Sequence, residues 1–229
     1  MRSVGVIGGL GPETTAQFYL EVIFQCQKIN KEQRPSIIIS NVPLLFEIER
    51  DLIALNKGIE RYIPFLVEEA KRLEKSGVDF LVMPCNSLHV FIKEIRASVS
   101  IPVVSIVDET VNYIKKAGFN KVGFISTAAT IVNKVYEIQF DEANITYVTP
   151  GDDSATIINA IIQRLVNGQH LAEDRAFVES IAMNLSNNGA DAIALACTDL
   201  QLLLPIHSSK PVFDTMKILA EATVREILA

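Results

Sequence analysis

Two of the three cysteines occupy matching places in the chain. Cys85 ends the run Phe80-Leu81-Val82-Met83-Pro84 and is followed by Asn86-Ser87; Cys197 ends Ala192-Ile193-Ala194-Leu195-Ala196 and is followed by Thr198-Asp199. Each apolar run reads as a buried strand, and each polar pair after it reads as the N-cap of a helix. A thiol at a helix N-terminus meets the positive end of the dipole and free N–H groups, both of which favour the thiolate. Two such thiols facing one carbon from opposite sides can take a proton from one face and return one to the other. That is chemistry for inverting a stereocentre.

The remaining polar candidates are weaker on their own. Cys26 continues the helical stripe Phe18, Val22, Cys26, Ile29 and reads as a small core hydrophobe. No C-x-x-C or H-x-x-x-H spacing occurs, so no metal site is expected. Gly8-Gly9-Leu10-Gly11-Pro12 leaves the first strand and opens a helix at Pro12. A dinucleotide fingerprint needs a further glycine where Thr14 stands. The turn therefore reads as a tight connection whose backbone N–H groups, at Gly9 and Gly11, could hold a small carboxylate. Its counterpart, Ser126-Thr127-Ala128-Ala129-Thr130, offers the hydroxyls of Thr127 and Thr130 instead. His89 falls one turn after Cys85, close enough to tune that thiol, whereas His170 and His207 lie in loop-like sequence. Arg50, within Glu47-Ile48-Glu49-Arg50-Asp51, reads by itself as a surface charge.

The elements that must position these residues alternate along the chain. Short apolar runs at 4–7, 37–39, 78–82, 103–106, 121–125, 145–148, 190–195 and 211–213 read as strands. Helical periodicity lies between most of them. Ile63, Leu66, Val67, Ala70 and Leu73 share a face before Gly77; Ile157, Ile158, Ile161, Ile162 and Leu165 share one before Gly168. Strands apolar throughout belong to parallel sheets covered on both faces, so the fold class is α/β. The pattern also repeats. Cys85 and Cys197 are 112 residues apart, with glycine and aspartate at matching positions ahead of each; Val4-Gly5-Val6-Ile7 matches Val122-Gly123-Phe124-Ile125 at an offset of 118. The expectation is two similar Rossmann-like halves, each with a four-stranded, mostly parallel sheet flanked by helices, related by a pseudo-two-fold axis. Residues 1–100 form the first, with a C-terminal helix over 212–229 packing on it, and 101–211 the second.

Composition narrows the function. With 229 residues, 49% of them hydrophobic, the chain can bury a sizeable core; its formal charge of −6 argues against nucleic-acid or anionic-membrane partners. No run of about 18 apolar residues exists, as a transmembrane helix would need. The opening apolar stretch is too short and Gly-rich for a secretory signal. Three widely spaced cysteines suit a reducing compartment, and a cytoplasmic protein is expected.

Met83-Pro84-Cys85-Asn86-Ser87-Leu88-His89 resembles the M-P-C-N-T-x-H signature of the aspartate/glutamate racemase superfamily. Ala196-Cys197-Thr198-Asp199-Leu200 resembles its G-C-T-E signature, and Gly8-Gly9-Leu10-Gly11-Pro12 its opening G-G-M-G-P. The similarity runs nearly the whole chain and is closest to the aspartate racemase branch. It implies a racemase that needs no cofactor, pyridoxal phosphate included, interconverting L- and D-aspartate or glutamate, with Cys85 and Cys197 as the two bases. Asn86, Ser87, Thr127 and Thr198 would hold the α-carboxylate or ammonium, and Arg50 the acidic side chain. Glutamate is usual where Asp199 stands, glycine at Ala196, and some relatives carry a lysine at Val166. A small acidic amino acid would be the substrate, and the family habit implies a homodimer. Two other readings compete: a related isomerase or racemase of another small carboxylate or hydantoin, and a non-catalytic amino-acid-binding protein.

Overall fold

The computed structural model describes residues 1–55 and 57–229. Its first half contains β1 (Val4–Gly8), α1 (Pro12–Ile29), β2 (Ile37–Asn41), α2 (Phe46–Leu55), α3 (Ile63–Lys75), β3 (Phe80–Val82), α4 (Ile92–Ser98) and β4 (Val103–Val104). Then follow α5 (Ile106–Ala117), β5 (Lys121–Ile125), α6 (Ala128–Val132), α7 (Glu137–Ala143), β6 (Thr146–Val148), α8 (Asp152–Val166), α9 (Ala172–Asn187), β7 (Ala192–Leu195), β8 (Val212–Asp214) and α10 (Thr215–Leu228). Short 3-10 turns occupy Ile59–Tyr62, Ser87–Phe91 and Thr198–Leu203.

Two four-stranded sheets result, ordered β2-β1-β3-β4 and β6-β5-β7-β8, with every pairing parallel. The orders match strand for strand, so the repeat read in the sequence is a repeat of structure. Sheet membership shifts the expected boundaries. β4 bonds to β3, so the first sheet extends past residue 100, and 212–214 is a strand of the second sheet rather than part of a helix. The helix after it, α10, packs on α1 of the first half and on α5.

Alternation along the strands explains the layering. Val4 and Val6 of β1, with Val122 and Phe124 of β5, face a common core with α1, α5 and α10. Ile7 faces a second cluster beneath α3, and Ile125 a third beneath α8 and α9. The central helices are thus shared by both sheets, and outer helices cover the far faces. Gly5 and Gly123, equivalent in the repeat, mark where those outer helices come closest. A Cβ on Gly5 would sit 2.7 Å from Leu81 and 3.2 Å from Leu73 of α3; one on Gly123 would sit 2.6 Å from Ile193 and 3.0 Å from Leu185 of α9. Positive φ at Gly77 (82°) and Gly168 (69°) turns the chain out of α3 and α8, where the sequence placed their ends. No helix is long and apolar enough to cross a membrane among the described residues.

Candidate active site

In open parallel sheets, ligand sites form beyond the carboxyl ends of the strands. Here both sheets point those ends at one another. The turns after β1, β3, β5 and β7 bring Gly11, Cys85, Thr127 and Cys197 to the wall of a single cavity of about 60 Å³. Asn86, Ser87, Thr198 and Asp199 line the same space. Eight of the eleven residues singled out from the sequence therefore converge. Cys26, by contrast, is fully buried in α1, although Ile29 at the end of its stripe is exposed.

The two thiols stand in an apolar setting. Cys197 is buried and its Sγ lies 3.8 Å from Asp199 Oδ2. Cys85 is half-buried, with the N–H groups of Ser87 and Leu88 directed at its sulfur. Burial pushes the Cys85 thiol up to about 12, and the Asp199 charge adds to it; the turn's N–H groups pull the other way and lose. Cys197 is raised well above the ordinary value, first by burial and then by Asp199. The expected helix-dipole lowering does not prevail, because each cysteine precedes a short 3-10 turn whose few aligned N–H groups are outweighed by desolvation.

Asp199 is held in place from the first half of the chain. Thr14 Oγ1 donates to its Oδ1 at 2.6 Å, and a Cβ at Gly11 would fall 2.4 Å from that oxygen, so only glycine leaves it room. Burial raises Asp199 to about 6. The expected N-caps differ. Asn86 makes no cap; its Nδ2 donates to Thr215 Oγ1 at 3.0 Å, and Tyr136 Oη donates to its Oδ1 at 2.5 Å. Ser87 instead reaches across the halves, 2.8 Å from Thr127 Oγ1 and 3.0 Å from Thr130 Oγ1. Thr130 supports that hydroxyl cluster without lining the cavity. Gly9 is also outside it. Its N–H donates to Thr15 Oγ1 at 2.9 Å, so the turn spends that donor internally. His89 accepts from the Ile106 N–H at Nε2, which leaves Nδ1–H to donate to the Cys85 carbonyl at 2.6 Å. Burial keeps it neutral, with a value lowered to about 4. It fixes the Cys85 backbone and does not touch the sulfur.

Arg50 is not brought to the cavity. Its exposed guanidinium lies 3.5 Å from Asp51 and borders a neighbouring outer groove with Phe46, Glu47, Gln163 and Asn167. The reason is azimuth. Successive helix residues are rotated by about 100°, and α2 buries Ile48 and Leu52. Arg50 then points about 180° from that buried face, while Glu49 sits at its flank. It is Glu49 that lines the cavity, raised by burial and by the Asp199 charge, together with Leu10, Leu52, Tyr62, Ile162 and Val166. In the sequence Val166 stands out only as the place where some relatives carry a lysine; as cavity walls the others were missed. The pair Ile48 and Leu52, four apart, was the available signal.

Comparison with known proteins bears on this geometry. The chain matches the Asp/Glu/hydantoin racemase family over residues 7–223. It is 32% identical to the broad specificity amino-acid racemase RacX of Bacillus subtilis, over 99% of this chain and 98% of that one. An aspartate racemase homologue from Pyrococcus horikoshii superposes with a TM-score of 0.80 at 26% identity, covering all of both chains. Picrophilus torridus aspartate racemase shares the fold with a TM-score of 0.81 at 24% identity, over 99% of this chain and 94% of its own. With paired parallel sheets, one cysteine after the third strand of each, and a family match across nearly its whole length, the chain belongs to the Asp/Glu/hydantoin racemase family.

Proposed function

We propose that the protein is a pyridoxal-independent amino-acid racemase in which Cys85 and Cys197 pass protons at the α-carbon. The observation that carries this reading is the meeting of two equivalent thiols, one from each half, in one cavity. In each direction one sulfur, as thiolate, removes the α-proton, and the other, as thiol, protonates the opposite face. Desolvation serves the chemistry. It makes the thiolate scarce, but a thiolate whose conjugate acid is weak is a strong base towards a reluctant C–H bond. The hydroxyls of Ser87, Thr127 and Thr198 suit an α-carboxylate, and Asp199 suits an α-ammonium. That ammonium would also offset the negative charge that Asp199 imposes on both sulfurs.

The test is exchange in D₂O. L- and D-amino acids incubated with the protein lose their α-hydrogen NMR signal as the opposite enantiomer accumulates on a chiral column. Absence of both changes across a full panel of amino acids would overturn the reading.

A further inference from the structure

We propose, resting on the racemase reading, that Glu49 determines specificity and that the cavity selects amino acids whose side chain ends in a cation. Two carboxyl groups, Glu49 and Asp199, line the cavity, while no lysine, arginine or histidine does among the described residues. A zwitterionic backbone uses one acid for its ammonium, and Asp199, between Thr14 and Cys197, is placed for that. Glu49 is then left over. Among the described residues its carboxyl enters no ion pair, whereas its neighbours are satisfied: Glu47 meets Arg61 at 2.6 Å and Asp51 meets Arg61 at 3.0 Å. A partly desolvated acid without a partner is a place for a cation to bind.

Shape agrees with charge. Glu49 borders both the cavity and the outer groove of about 320 Å³, so it stands between them. The walls on the cavity side, Leu52, Tyr62, Ile162 and Val166, are largely apolar and suit a methylene stem. A small inner space for the backbone, apolar walls beside it and an acid among them match lysine or ornithine. An aspartate or glutamate side chain would instead bring a third carboxylate beside two others, a like-charge arrangement that is disfavoured.

The experiment is substrate competition by chiral chromatography with wild-type protein on L-lysine, L-ornithine, L-norleucine, L-aspartate and L-glutamate. The expected result is a kcat/KM for lysine at least tenfold above norleucine and further above either acidic amino acid. Glu49→Gln lowers the lysine-to-norleucine ratio at least tenfold, chiefly through KM. Wild-type preference for glutamate or aspartate over lysine, or a ratio unmoved by Glu49→Gln, overturns the assignment while leaving the racemase intact. If no amino acid exchanges its α-proton, the racemase reading fails and calorimetry decides the selectivity. Lysine binding tighter than glutamate, and weakened by Glu49→Gln, sustains it; any other order overturns it.

Discussion

Desolvation sets the resting state of both thiols. With Cys85 raised to about 12 and Cys197 also raised, each is protonated at neutral pH. The rate therefore rises with alkalinity. We expect kcat/KM to be still increasing at pH 8 and iodoacetamide to label Cys85 faster at pH 9 than at pH 7; a rising limb centred below pH 7 would contradict this. Cys85→Ser and Cys197→Ser each remove one general acid/base, a loss of roughly 10²–10⁴-fold in racemisation. Either variant could still exchange one enantiomer's α-proton with D₂O. Asp199→Asn removes both the ammonium partner and the charge that raises the sulfurs. Loss of a charge-assisted contact costs about 1.5–3 kcal/mol, so KM rises roughly tenfold or more while the rising limb moves to lower pH. Steady-state kinetics across pH checks both. The thiol pair was legible in the sequence because repetition marks it. The acid beside it, Glu49, was not, because a single step of helical azimuth turns Glu49 to the cavity and Arg50 away from it.

Helix ends carry the next level of information. The glycines that stop α3 and α8 could be read directly, because positive φ has few other solutions. The turns after Cys85 and Cys197 were less legible. Asn86 and Asp199 look like caps but bond across the fold, and no local rule registers a partner 50, 129 or 185 residues away. A true cap appears at α10, where Asp214 accepts from the Met216 N–H at 2.9 Å. Burial raises its carboxyl to about 7 against an ordinary value of about 3.9. The fold thus prefers the neutral acid. Its contribution to stability is complete below about pH 4 and is lost as pH rises through about 7. Asp214→Asn keeps a capping oxygen without the charge. Urea unfolding at pH 8 is expected to show the variant more stable than wild type by about 1–3 kcal/mol, with the difference shrinking towards pH 5.

Across the whole molecule, the halves are joined by polar contacts at the site and apolar contacts behind it. Tyr136, from the second half, donates to Asn86 beside Cys85, and both residues are buried. Tyr136→Phe leaves the Asn86 oxygen without that donor, at a cost of about 1–3 kcal/mol. Thermal unfolding then falls by roughly 2–4 °C per kcal/mol for a chain of this size, and turnover falls with it as the turn carrying Cys85 loosens. An unchanged melting temperature would show the contact to be idle. The duplicated sheets were readable from sequence offsets; of their joining only the packing of the C-terminal helix on the first half was expected, because a shared core leaves no trace in either copy alone. That core has a consequence for how the protein comes apart. Strands of both sheets rest on the same helices, α1, α5 and α10, so neither half has a complete interior of its own. Two sheets that look like separate modules are one cooperative unit. Heating is expected to dissolve them in a single calorimetric transition, and either half expressed alone will bare an apolar face and associate or unfold.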